Sequence, residues 1–192
     1  SDLARPDADE VRRVWPQIDP LRRRIVAATV ADQAANLLGM DYGAFLRILL
    51  DDSDARVRSF AIEGLSEEGA APDLLGRYIQ ALQNEGDGDV RAAAAAALGA
   101  YILEGELEEL DSALAMRAEQ ALMAVLTDRA APLPVQCRAL ESIAFSGELG
   151  VRQLISILTP ISSPNFLAPS MAPVRAAWKT GLPWLLAITP KV

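Results

Sequence analysis

Apolar positions recur at three- and four-residue steps over the middle of the chain. Val57, Ala61 and Leu65 form one such stripe, and Val90, Ala94 and Leu98 repeat it 33 residues later. That period places the side chains on one face of an α-helix. A second stripe precedes each: Phe45, Ile48 and Leu49 in the first case, Tyr78, Ile79 and Leu82 in the next. A looser third copy runs from Leu122 to Ile143 with Val135, Ala139 and Ile143 in register, and a faint fourth covers Val174 to Leu182. The valines stand 33, then 45, then 39 residues apart. Each unit therefore reads as helix, turn, helix, and units of this length stack because one hairpin cannot bury its apolar face alone. The long middle interval predicts an exposed insertion between Gly105 and Met116.

Polar punctuation supports the same division. Asp54 and Asp87 each stand three residues before the first valine of a stripe. There a carboxylate accepts hydrogen bonds from the free N–H groups that open a helix. Upstream, Asp9 to Trp15 predicts a short helix closed by Pro16 and Pro20. Leu21 to Leu38 predicts a longer one, with Val26, Val30, Ala34 and Leu37 inward and Gly39 as its stop. Downstream, Val151 to Leu158 predicts another amphipathic helix, and the proline- and serine-rich stretch 160–173 a loop. No stretch alternates as a half-buried strand does. The organisation expected is one domain: N-terminal helices over 1–40, clear repeats over 41–159, and a loop with a C-terminal cap over 160–192.

The pattern DxxVRxxAxxxL from Asp54 to Leu65, and DGDVRAAAAAAL from Asp87 to Leu98, resembles the HEAT repeat, and more narrowly the HEAT-like repeats named for phycobilisome lyases. A tetratricopeptide reading lacks its Trp, Gly and Tyr signature. The resemblance implies an all-α fold, a right-handed α-solenoid of stacked hairpins whose second helices line a concave face. It also implies that Asp54, Arg58, Asp87 and Arg91 link the turns of the repeats to their second helices, with Val57, Val90 and Val135 as core positions. The third unit departs, with Pro132 near the aspartate position and Gln136 in place of the arginine. The linkage is accordingly expected to fail there.

Composition narrows the chemistry. The chain of 192 residues carries 26 acidic against 18 basic side chains, a net charge of −8. Nucleic acid is a poor partner for such a surface, since binding a duplex needs clustered Lys and Arg. The one dense basic run, Arg22 to Arg24, reads as a solvated helix start whose three side chains point to different sides. No histidine is present, which removes the usual general base and the commonest metal ligand. The single Cys137 has no internal disulfide partner and reads as a small packed residue. No apolar run is long enough to span a bilayer and no signal peptide is visible, so the expected location is cytoplasmic.

These exclusions leave no catalytic, cofactor or metal site to name. The reading is a non-catalytic protein interaction or scaffold module with a protein partner. The alternative, implied by the resemblance, is a bilin-lyase-like enzyme or subunit that holds a tetrapyrrole in the concave groove. Glu63 and Glu141 occupy equivalent places in two second helices with Ala96 between them, about 20 Å apart for stacked layers, too far for shared acid–base chemistry. They read as surface charges beside a partner groove. Glu104, Glu106, Glu108, Glu109 and Asp111 form an acidic insertion suited to a basic partner, without the spacing of a calcium loop. The C-terminal stretch 165–192 carries Trp178 and Trp184 but no acidic residue. It is expected to fold back, with Trp178 and Leu182 taking the places of Ala61 and Leu65; the alternative is a homodimer contact.

Overall fold

A computed structural model describes residues 5–36, 41–147 and 151. Among them every regular element is a helix: α1 (Arg5–Val14), a 3-10 turn (Trp15–Gln17), α2 (Pro20–Asn36), α3 (Gly43–Leu49), α4 (Ala55–Ser66), α5 (Leu75–Asn84), α6 (Gly88–Glu106), α7 (Ser112–Thr127) and α8 (Leu133–Ile143). The fold is an α-solenoid. The second helices α2, α4, α6 and α8 pack side by side in chain order, and α3, α5 and α7 each close a hairpin with the helix that follows. The first pair is looser, because α1 rests chiefly against α3. The expected helix beyond Val151, the loop over 160–173 and the fold-back of Trp178 and Leu182 lie outside the described residues, as do Leu37 and Gly39.

The core follows the stripes. Val57, Ala61 and Leu65 are fully buried, and so are Val90, Ala94 and Leu98, then Val135, Ala139 and Ile143. Leu46, Ile48 and Leu49 of α3 and Leu75, Tyr78 and Leu82 of α5 supply the first-helix side. Tyr78 and Tyr101 meet edge to face with centroids 6.3 Å apart, and the Tyr101 hydroxyl donates to the Ala71 carbonyl at 2.5 Å. Burial pushes both phenols well above their usual range. Small residues set the layer spacing. A Cβ on Gly64 would lie 3.1 Å from the Ala31 Cα, so α2 and α4 approach almost backbone to backbone.

The extra residues between the second and third repeats, expected as an exposed insertion between Gly105 and Met116, are exposed or half-buried throughout. They lengthen α6 to Glu106 and open α7 at Ser112, leaving only the turn 107–111 between them. Leu107 caps α6 and is exposed rather than part of a helix face. One expectation, that for α2, is corrected. Its buried positions are Arg23, Ala27 and Ala31, whereas Val26 is exposed and Val30 and Ala34 are half-buried. The close approach to Gly64 admits alanine but no branched side chain, so the helix turns its larger apolar residues outward.

Candidate functional site

Three of the four second helices, α2, α4 and α6, open on the same local device. Asp54 accepts from the Arg56 N–H at 2.9 Å, and Asp87 from the Asp89 and Val90 N–H groups at 2.9 and 3.2 Å. Asp19 caps α2 in the same way, accepting from Leu21 and Arg22. Pro132 stands at the fourth position with no side-chain cap. Burial opposes ionisation of Asp54, but hydrogen bonds from the Arg24 guanidinium and the Arg56 N–H outweigh it and hold the carboxyl below its usual range.

Four residues after each cap, a side chain reaches back to the turn. Arg58 donates to the Asp52 carbonyl at 2.7 Å and to Glu85 of the next repeat at 3.0 Å. Arg91 donates to the Leu82 carbonyl at 2.9 Å. Gln136 donates to the Asp128 carbonyl at 2.8 Å, so the third repeat keeps the backbone link with an amide where an arginine was expected. What lapses is the link between repeats, because Ala130 occupies the register of Asp52 and Glu85 and offers no acceptor.

Arg23 is the fourth member of this series, and the reading of Arg22 to Arg24 as a solvated helix start fails for it. Its guanidinium is buried on Asp52, with Nη1 at 2.7 and 2.6 Å from the two carboxylate oxygens. Asp52 also accepts from Trp15 Nε1 and the Asp54 N–H. Arg24 pairs with Asp54 at 2.7 Å and Arg22 is exposed, so the three arginines do point to different sides. The spacing of Asp19 to Arg23, equal to that of Asp54 to Arg58, was the available signal. It was obscured because Arg22 fills the valine position.

The second-helix layer turns one face to solvent. Glu63, Ala96 and Glu141, each nine residues past its cap position, are all exposed. Glu63 accepts from Ser59 and Glu141 from Arg138, so both charges are locally engaged. Along α6, Ala92, Ala96, Ala100 and Leu103 form an uncharged stripe, exposed at Ala96 and Leu103 and half-buried at Ala92 and Ala100, while Arg91 and Glu104 are half-buried and Glu106 is exposed at the helix end. Phe60 on α4 is half-buried with Arg56 over its ring at 5.6 Å, and Phe145 after α8 is exposed. Cys137 is half-buried in the same layer, and burial together with Glu141 pushes its thiol up, away from nucleophilic use at neutral pH.

The acidic cluster divides into two kinds of residue. Glu104 accepts from the Ala70 N–H, Glu106 from the Gly147 N–H, and Asp111 caps α7 through the Ala113 N–H, each at 2.8 Å. Glu108 and Glu109 lie exposed on the turn, and Glu108 takes a positive φ of 59°. Among the described residues no group of three His, Cys, Asp or Glu side chains is placed to hold a metal ion, and no helix is long and apolar enough to cross a membrane.

Comparison with known proteins agrees with this architecture. A chain in the complex of CpcE and CpcF of phycocyanin lyase from Nostoc sp. PCC7120 superposes with a TM-score of 0.50 at 18% identity, over 78% of this chain and 96% of that one. The match is one of fold. No curated protein sequence matches the chain. Residues 43–125 match the HEAT repeats. With the capped second helices, the recurring arginine and the shared core in register, the chain is an α-solenoid whose residues 43–125 are similar to HEAT repeats.

Proposed function

We propose that this chain is a non-catalytic interaction module that receives a protein partner on the exposed face of its second helices. The observation that carries the reading is α6. A helix stripe that reaches solvent is ordinarily charged or polar, yet here it is Ala92, Ala96, Ala100 and Leu103, with Phe60 on α4 and Phe145 after α8 carried by the elements packed on either side. Alanines let an incoming chain approach the helix closely, and the two aromatic rings provide contact area of the kind that anchors interfaces. The Glu63 and Glu141 carboxylates on either side favour a partner with basic groups flanking an apolar centre. That the similar structure is a complex of CpcE and CpcF supports a protein partner.

Ala96→Arg tests the reading. Ala96 is exposed, so the variant folds with an unchanged melting temperature, and it loses the partner that the wild-type chain retains from its source lysate. Equal retention by both proteins would rule out this face.

The same similarity favours a second reading, a lyase-like subunit that holds a tetrapyrrole on this face. It predicts a shift in bilin absorbance on mixing with the wild-type chain, suppressed by Ala96→Arg. An unchanged spectrum leaves the adaptor reading standing alone.

A further inference from the structure

We propose a second binding site, distinct from the second-helix face: a cavity among the first helices that takes a small anion with an apolar body. The cavity, of about 460 Å³, is lined by Arg12 of α1, Trp15 and Pro16 of the 3-10 turn, Arg23 of α2, Arg47 and Ile48 of α3, the turn Asp51–Ser53, and Arg77 of α5. None of the residues on the exposed second-helix face lines it. Its size lies within the usual range for small-molecule pockets, roughly 300–1,000 Å³.

Charge is the first argument. In a chain of net charge −8, four guanidiniums line this cavity beside two carboxylates, Asp51 and Asp52, and their other ion-pair partners, Asp9, Glu68 and Asp73, do not line it. Asp52 is already saturated by Arg23, Trp15 and the Asp54 N–H. In the interior of the wall the buried Arg23 Nε has no acceptor. A buried donor without a partner is uncommon in folded proteins and marks a place short of acceptors.

Availability is the second. Arg12 pairs with Asp9 and Arg77 with Asp51, and these two carboxylates are 74% and 72% exposed, whereas Arg47 is held both by Asp73 and by the more buried Glu68 at 2.9 Å. Exposed pairs of this kind contribute little to stability. Arg12 and Arg77 can therefore turn to an entering anion at little cost, while Arg47, Arg23 and Asp52 stay fixed beneath them. The floor of Trp15, Pro16 and Ile48 supplies apolar contact, so the ligand that fits carries an acyl or aryl body behind its charged head. Carboxylate and phosphate heads both match a guanidinium fork.

Calorimetric titration of the full chain with octanoate, octyl phosphate and octanol tests this. One or both anions bind at one saturable site and octanol does not; the tighter anion identifies the head group. Arg12→Gln with Arg77→Gln, both at exposed pairs, weakens the anion at least about tenfold, the loss expected for a charge-assisted hydrogen bond. Arg77→Gln alone gives a smaller loss in the same direction and serves if the double variant melts early. Absence of saturable binding by both anions, equal binding of octanol, or anion binding indifferent to the arginine changes would overturn the proposal.

Discussion

Arg23 donates to both carboxylate oxygens of Asp52 with the two side chains buried, and it does so at the same register at which Arg58 meets Glu85 one repeat later. The two pairs lock the turn of one repeat onto the second helix of the repeat before. A buried pair is costly to break from one side, because the remaining charge is left without compensation. Arg23→Met and Asp52→Ala should each lower stability by about 3–5 kcal/mol. The double variant should cost clearly less than the two losses added. Additive losses in denaturant titrations would mean the pair is not coupled.

Caps contribute on a smaller scale. Asp54→Ala and Asp87→Ala should each cost about 0.5–2 kcal/mol, the usual loss of an N-cap acceptor. Pro132→Ala should be nearly neutral, because that position holds no side-chain cap. Identical unfolding midpoints for all three variants and wild type would show that the aspartates do not cap.

Acid should expose the same carboxylates. Asp54 is held low by Arg24 and the Arg56 N–H against burial, and Asp73 is held low by its hydrogen bond from Arg47. A carboxyl depressed in the folded state stabilises above its unfolded value, near 4, and that contribution is lost as pH falls through the folded value. Melting temperature should therefore fall below about pH 4, and less steeply in Asp54→Asn than in wild type. Parallel pH profiles for the two proteins would contradict this.

Glycines give predictions of opposite sign. Gly64→Ala places a Cβ 2.9 Å from Leu46 Cδ1 and 3.1 Å from the Ala31 backbone, so α2 must move away. Overpacking of this kind costs about 1–3 kcal/mol, which offsets or exceeds the gain in helix propensity of about 1 kcal/mol. Gly76→Ala on α5 meets nothing within 4 Å and should stabilise by up to about 1 kcal/mol. Thermal melts that rank the two variants the other way would sink the close approach of α2 and α4.

The sequence made α4, α6 and α8 legible because their valine, alanine and leucine positions keep one period and two of them carry a capping aspartate. It hid the first repeat because no valine follows Asp19 at the right interval, and because its buried stripe is Arg23, Ala27 and Ala31. Hydrophobic periodicity pointed instead to Val26 and Val30, which close packing against Gly64 turns outward. The link in the third repeat was hidden for a different reason. A hydrogen bond from Gln136 to a backbone carbonyl needs only a donor at that place, and an amide serves as well as a guanidinium. The exposed face was half legible: the equivalence of Glu63, Ala96 and Glu141 could be counted, but the uncharged stripe along α6 needed burial to separate Ala92 and Ala96 from Ala94 and Ala97.

Partner contact through that stripe is the central claim, and site-specific photocrosslinking in the source cells tests it most directly. A benzophenone side chain placed at Ala96 should yield one discrete crosslinked adduct. The same group at Gln83, an exposed position on α5 away from the second helices, should yield none. Absence of an adduct from Ala96, or equal adducts from both positions, would contradict a partner seated on α6.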